Sequence, residues 1–139
     1  MAEYHKDIVL AIHPKFAEAI LLGTKRFEFR RQRPGRLIHK RAYLYATSPV
    51  KAVVGWADVR LYEGWTTHLW QIAHDEAGMA EWEYLRYFGT HAWGTMLTVL
   101  AMGRYEPPKT LAEFDVQHPP QSWCYVGVLS MIGEEVIGP

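Results

Sequence analysis

The stretch GTKRFEFRRQRPGR, residues 23–36, places six cations around a single acid, Glu28. Its first half alternates. Phe27 and Phe29 point to one side of an extended chain while Arg26, Glu28 and Arg30 point to the other, the period of a half-buried strand with an ionic outer face. Its second half, RQRPGR, contains a Pro-Gly pair that ends the strand in a turn. Gly23, at its start, closes a helical pattern in which Phe16, Ala19 and Ile20 share a face behind Pro14, a residue suited to a first helical turn.

On the N-terminal side, DIVLAI (7–12) is a nearly continuous apolar run and reads as a buried strand. On the C-terminal side, AYLYAT (42–47) reads as a strand, Ser48-Pro49 as a turn and 50–62 as a long strand. Gly55 within that strand marks a bulge or a close backbone approach. Two short helices are expected over 66–77 and 80–88, the second stopped by Gly89. Strand character returns at 91–105. Pro107-Pro108 and Pro119-Pro120 bracket TLAEF (110–114), one helical turn, and SWCYVGVLSM (122–131) reads as a closing strand. The order is an α+β pattern, and its strand count suits a small closed or nearly closed β-barrel flanked by short helices. No repeat, linker or low-complexity segment divides it, so residues 1–139 are expected to form a single domain.

With 139 residues, 49% hydrophobic and 14% aromatic, the chain has material for one buried core. Fifteen basic and fifteen acidic residues cancel, which argues against a histone-like binder but leaves local patches open. The charge is polarised. Residues 24–41 hold eight cations against Glu28 alone, while 75–83 hold Asp75, Glu76, Glu81 and Glu83 with no cation. Cys124 is the one cysteine, which removes an internal disulfide and a CxxC site. Between Trp123 and Tyr125 it reads as packed rather than reactive. The seven histidines form no HxH, HExxH or HxxxH cluster, so neither a metal nor another cofactor is expected. No apolar run approaches the ~18 residues of a membrane helix. The run in MAEYHKDIVLAIHPK is too short and interrupted for a signal peptide, so a cytoplasmic location is expected.

Arg26, Arg30, Arg31, Arg33 and Arg36 crowd guanidinium groups into a short segment. Such forks match phosphate oxygens bidentately, so the cluster suits a polyphosphate backbone; the plainer reading is a solvated charged face. Glu28 is either a rung in a surface ion-pair ladder worth roughly 0–1 kcal/mol or the partner that holds Lys25 and Arg30 at a pocket. A second group is spread along the chain. Tyr45 and Lys51 flank the Ser-Pro turn, side by side at the expected barrel rim, and Ser122 sits in HPPQSWCY. A lysine with two hydroxyls donates to phosphate oxygens and shifts protons without a metal, and desolvation lowers a lysine pKa toward general acid–base use. The plain alternative is a solvated lysine beside a half-buried tyrosine. Of six tryptophans most supply core, and Trp123, beside Ser122, is the expected stacking platform for an unpaired base.

Gly23-x-Lys25-x-x-Glu28-x-Arg30 resembles the GxKxxExR signature of ASCH domains, in the PUA-like superfamily. IHPKFAEAILLG (12–23), YLYATSPVKAVVG (43–55) and PPQSWCY (119–125) are similar to the same family in the same order. The resemblance thus covers nearly the whole chain, with 65–89 its least diagnostic part. It implies a small PUA-like β-barrel flanked by helices, with a cleft into which Lys25, Glu28 and Arg30 project. It also implies a partner that is single-stranded RNA or a modified nucleotide. Tyr45, Lys51 and Ser122 are similar, in type and flanking sequence, to residues of members with metal-independent nuclease activity on single-stranded RNA. By that resemblance these three are catalytic, and Lys25, Arg26, Glu28, Arg30, Arg31, Arg33, Arg36 and Trp123 hold RNA. A non-catalytic RNA or modified-nucleotide module is the alternative. A third reading is hydrolysis of N4-acetylcytidine, against which Glu28 stands where the deacetylating members carry a threonine.

Overall fold

A strand with no polar residue needs cover on both faces, and β1 (Ile8–Ile12) has it. In the computed structural model, which describes residues 7–127 of the 139-residue chain, Ile8, Leu10 and Ile12 join the main core with residues of helix α1 (Pro14–Leu22). Val9 and Ala11 join a second cluster around Phe114. α1 begins on Pro14 and stops at Gly23, whose φ of 86° is the left-handed stop expected of a glycine there. Its buried residues are Ala17 and Ile20.

Among the described residues six strands form one mixed sheet in the order β2-β5-β4-β3-β1-β6. β2 spans Phe27–Arg30, β3 His39–Ala46, β4 Ala52–Trp65, β5 Trp93–Lys109 and β6 Trp123–Tyr125. The β1–β3 pair is parallel and the other pairs are antiparallel. The long strands β4 and β5 shift register at Val53/Gly55 and at Asp58/Val59, and such bulges bend a sheet. Gly55 meets both expectations for it, since a Cβ there would stand 2.4 Å from the Gly103 carbonyl oxygen. The sheet curls into a half-barrel. Its edges, β2 and β6, do not pair; instead the Arg30 side chain at the end of β2 reaches across to Ala11 and Ser122. The architecture is therefore α+β, as the order of elements predicted, with the barrel open along one seam.

Several boundaries move. β3 begins at His39 rather than Ala42, because His39, Lys40 and Arg41 pair in register with Arg60, Val59 and Asp58. A charged strand end, stabilised by an Arg41–Asp58 ion pair of 2.7 Å, has no apolar period to read. β5 continues through Pro107 and Pro108, where a stop was expected. These prolines lie where the strand loops out between Arg104 and Lys109, which pair with Gly55 and Val53, and β2 covers the other side of β5 only over 95–98. A bulged edge tolerates residues that cannot donate. The first expected helix ends earlier, as α2 (Thr66–Ala73) with a 3₁₀ turn to Glu76, and the second is α3 (Glu81–Phe88). TLAEF contains the 3₁₀ turn Leu111–Phe114. The closing strand is shorter than 122–131, and positions 128–131 lie outside the described residues. No helix among the described residues is long and apolar enough to cross a membrane.

α2 and α3 place Leu69, Ala73, Tyr84 and Phe88 on Phe27, Phe29 and Met96. Tyr84 is 2% exposed, and its hydroxyl donates to the Thr66 carbonyl at 2.6 Å. Burial pushes this phenol up to about 12. A group whose pKa is raised by folding stabilises below its unfolded value and loses that contribution as pH rises. Between pH 10 and 12 Tyr84 should therefore cost the fold roughly 2 kcal/mol. In urea titrations at successive pH values, Tyr84→Phe should decline less steeply than the parent by that amount. Parallel curves would show a phenol that ionises as freely in the fold as outside it.

Candidate active site

Phe27 and Phe29 anchor β2 in the cluster beneath α2 and α3, which turns Glu28 and Arg30 to the opposite side. That side is not the solvated ionic face expected from the alternation. Lys25 is 1% exposed and Glu28 8%, because β2 forms one lip of the seam and its polar side looks toward β1 and α1. The Lys25 stem lies under Gly78. Its Nζ donates to the Ala77 carbonyl at 2.5 Å, stands 3.5 Å from Glu28 Oε1, and lies 4.9 and 5.3 Å from the ring centres of Phe16 and Phe29. Burial holds the ammonium pKa below the ordinary lysine value, Glu28 opposes the shift, and Arg30 adds to it.

Glu28 is shared. Its Oε2 accepts from Arg30 Nε at 3.0 Å and from Nη2 at 2.8 Å. Arg30 continues outward, donating from Nη2 to the Ala11 carbonyl at 2.8 Å and from Nη1 to Ser122 Oγ at 3.2 Å. One chain of contacts thus runs from buried Lys25 through Glu28 and Arg30 to exposed Ser122, carrying two cations and one carboxylate. It borders a cleft of about 230 Å³ whose lining includes Phe16, Met79 and Tyr87 as apolar wall and His13, Glu28 and Arg30 as polar groups.

Ser122 also joins the second group of residues to the first. Ala11 stands in register with Tyr45 across β1 and β3, and its N–H donates to the Ser122 carbonyl at 2.8 Å. Tyr45 and Ser122 therefore flank Ala11, their backbones two strand spacings or roughly 10 Å apart across the sheet. Lys51 closes the β3–β4 turn with a left-handed φ of 54°. That turn is tied to the same end of β1, since the Thr47 N–H donates to Ile12 O at 3.0 Å. Access differs among the three. Lys51 and Ser122 are exposed. Tyr45, expected beside Lys51 at the barrel rim, is 5% exposed among Val9, Val53 and Phe114, and its hydroxyl has no hydrogen-bond partner among the described residues.

The remaining cations do not form one surface. Arg31 lies over the Tyr87 ring at 4.5 Å and donates from Nε to the Tyr87 carbonyl at 2.9 Å. Arg33 pairs with Glu63 at 3.1 Å and also donates to the carbonyls of Gly35 and Arg36, so it orders its own turn. Arg26 is 4.0 Å from Glu76 at the surface, and Arg36 is exposed. Lys40 is buried and donates to Pro34, while Arg41 pairs with Asp58 and stacks on Trp56. Trp123 is half-buried against the main core and edge-on to Tyr125, not the open platform expected. The exposed tryptophan beside the cleft is Trp82, at 63%. Its signal was present: Tyr84 and Phe88, four apart, mark the buried face of α3, and Trp82 lies off it. His13 was missed as well, although it immediately precedes Pro14 at the mouth of α1. Among the described residues no three His, Cys, Asp or Glu side chains group as metal ligands.

A model of the ASCH domain matches residues 10–119. The chain belongs to the ASCH domain family. Over 84 residues this ASCH domain is 39% identical to an ASCH domain-containing ribonuclease of Zymomonas mobilis, a match covering 60% of this chain and 57% of that protein. A second curated relative, an ATP synthase subunit alpha of Ureaplasma parvum, is 27% identical over 123 residues, covering 87% of this chain and 15% of that protein. The chain thus spans well under two thirds of either relative. The crystal structure of ASCH from Zymomonas mobilis has a TM-score of 0.82 at 29% identity, covering 96% of this chain and 95% of that one. A variant of that protein with one serine replaced by alanine gives a TM-score of 0.83 at 28% identity, covering 98% and 97%. Another, with one tyrosine replaced by phenylalanine, gives 0.82 at 29%, covering 96% and 97%.

In this ASCH domain Gly78 seals the buried lysine. Its φ is 65°, and a Cβ would stand 2.6 Å from Lys25 Cβ and 2.8 Å from Cγ. Gly78→Ala must displace the lysine stem and strain a left-handed turn. The expected cost is about 1–3 kcal/mol, read as a lower urea midpoint with an unchanged slope.

Proposed function

We propose that this ASCH domain is a metal-independent endoribonuclease that cuts single-stranded RNA at the seam of the half-barrel. One observation carries the reading: Arg30 links the Lys25–Glu28 pair to Ser122, with Tyr45 beyond Ala11 and Lys51 in the adjoining turn. Two likenesses support it. A relative is a ribonuclease, and the residues replaced in the solved variants are a tyrosine and a serine, the hydroxyl types at 45 and 122.

In the proposed reaction the ribose 2′-oxygen attacks phosphorus as it gives up its proton, the bond to the 5′-oxygen breaks to leave a 2′,3′-cyclic phosphate, and the leaving oxygen takes up a proton from water. Lys51 neutralises charge developing on the non-bridging oxygens. Ser122 Oγ accepts from Arg30, so its own proton is free for a phosphate oxygen. The Tyr45 hydroxyl exchanges a proton with the attacking hydroxyl. Of the other cations, Arg31 lies over Tyr87 at the wall of the cleft and is the further phosphate contact; Arg26, Arg33, Arg36 and Trp123, dispersed or half-buried, are outer contacts at most. Glu28, held by both Lys25 and Arg30, is occupied as an acceptor, which weighs against hydrolysis of N4-acetylcytidine.

The burial of Tyr45 favours a second reading, a non-catalytic module that binds RNA or a modified nucleotide in the Glu28/Arg30 cleft. Labelled single-stranded RNA incubated with the protein in EDTA separates the two. Cutting that is blocked by a 2′-deoxy sugar at the scissile nucleotide, and weakened by Tyr45→Phe and Ser122→Ala, supports the nuclease. RNA that stays intact but is retarded on a gel supports the module.

A further inference from the structure

We propose that Trp82 is a stacking platform for an unpaired base of a single-stranded RNA whose phosphate lies at the Arg30–Ser122 seam; the inference rests on the RNA reading above. Helix α3 packs through Tyr84 and Phe88, and Trp82 contributes nothing to that packing, remaining 63% exposed. Beside it a groove of about 260 Å³ runs between α3 and Phe16 of α1. This groove shares Phe16, Met79 and Tyr87 with the cleft of Glu28 and Arg30, so the two adjoin across those side chains.

Its charge suits a nucleotide. Arg86 lines the groove one turn beyond Trp82, on the same side of the helix. Arg31 lies over the ring of Tyr87. The carboxylate that lines the groove, Glu83, is already paired with Lys15 at 2.7 Å. The groove thus offers an open aromatic face and cations while its acid is neutralised, which matches the flat base and anionic backbone of a strand leaving the seam. Only an unpaired base presents a free face to such a ring. The double helix does not.

Binding is measured by fluorescence anisotropy with a labelled 2′-O-methyl octamer, which lacks the attacking hydroxyl and stays intact. Trp82→Ala should raise Kd between about five- and a hundredfold, the range of one lost base–aromatic stack, and Trp82→Phe should recover most of it. An octamer of the same backbone without bases should bind the parent more weakly and should not respond to Trp82→Ala. The proposal is overturned if Trp82→Ala leaves the base-bearing octamer unchanged, if it weakens the abasic octamer equally, or if duplex RNA shows the same dependence. Cleavage of unmodified RNA is scored separately. Trp82-dependent binding without cleavage keeps the platform and removes the nuclease; cleavage with Trp82-independent binding does the reverse; a parent that binds no RNA overturns both.

Discussion

Replacing Glu28 with alanine is expected to destabilise the fold by about 3–5 kcal/mol, the cost of removing one partner from a buried ion pair. The lost carboxylate serves two cations. Lys25, 1% exposed, would keep a carbonyl as its near acceptor, and Arg30 would keep only its contacts to Ala11 and Ser122. Two positive groups would then face one another with nothing between them. The loss should be largest at neutral pH and shrink as the solution becomes alkaline. Burial already lowers the Lys25 pKa and Glu28 opposes that shift, so without Glu28 the lysine sheds its proton at lower pH, and the uncompensated charge goes with it. Urea midpoints at several pH values check both statements. Adding Lys25→Met to Glu28→Ala removes the stranded charge and should restore more than half of the loss. If the double variant is as unstable as the single, the cost arises from packing and not from charge.

Lys51→Ala should reduce cleavage of single-stranded RNA by about 10²–10³ in kcat/KM, the typical effect of removing one transition-state charge partner. Its ammonium is exposed and meets no acid among the described residues, so the melting curve should shift by no more than about 0.5 kcal/mol. Lys51→Arg keeps the charge but spreads it over a planar fork, and intermediate activity is expected. Retained cleavage by Lys51→Ala, with the parent active in the same assay, would place the lysine outside the chemistry. With the fold expected to be unchanged by this substitution, a loss of cutting would report on the chemistry and not on unfolding.

Local patterns were legible where local forces decide the outcome. IVLAI becomes a strand because five apolar residues can be buried there on both faces, and Gly23 ends α1 because the stop needs a positive φ. Gly55 was visible as a break because no side chain fits against the Gly103 carbonyl. The strand at His39–Arg41 was not visible, since Arg41 finds its partner across the strand at Asp58 and Lys40 is buried against the Pro34 carbonyl, and no apolar period encodes either. The same limit hid the meaning of the alternation at 27–30. Periodicity correctly puts Glu28 and Arg30 on one side of β2, but burial depends on what the sheet's curl brings opposite.

The sequence by itself determined the succession of elements, the glycine stops and the presence of a Lys25, Glu28 and Arg30 triplet. Only the tertiary structure decided that this triplet is buried and continues to Ser122, and that the open ring beside the cleft is Trp82 rather than Trp123. Ser122 lies 92 residues from Arg30. Contacts across such a separation are made when β1 carries β6 to the far edge of the sheet and the curl returns that edge to β2. Charge burial is a property of that closure, and no spacing along the chain encodes it.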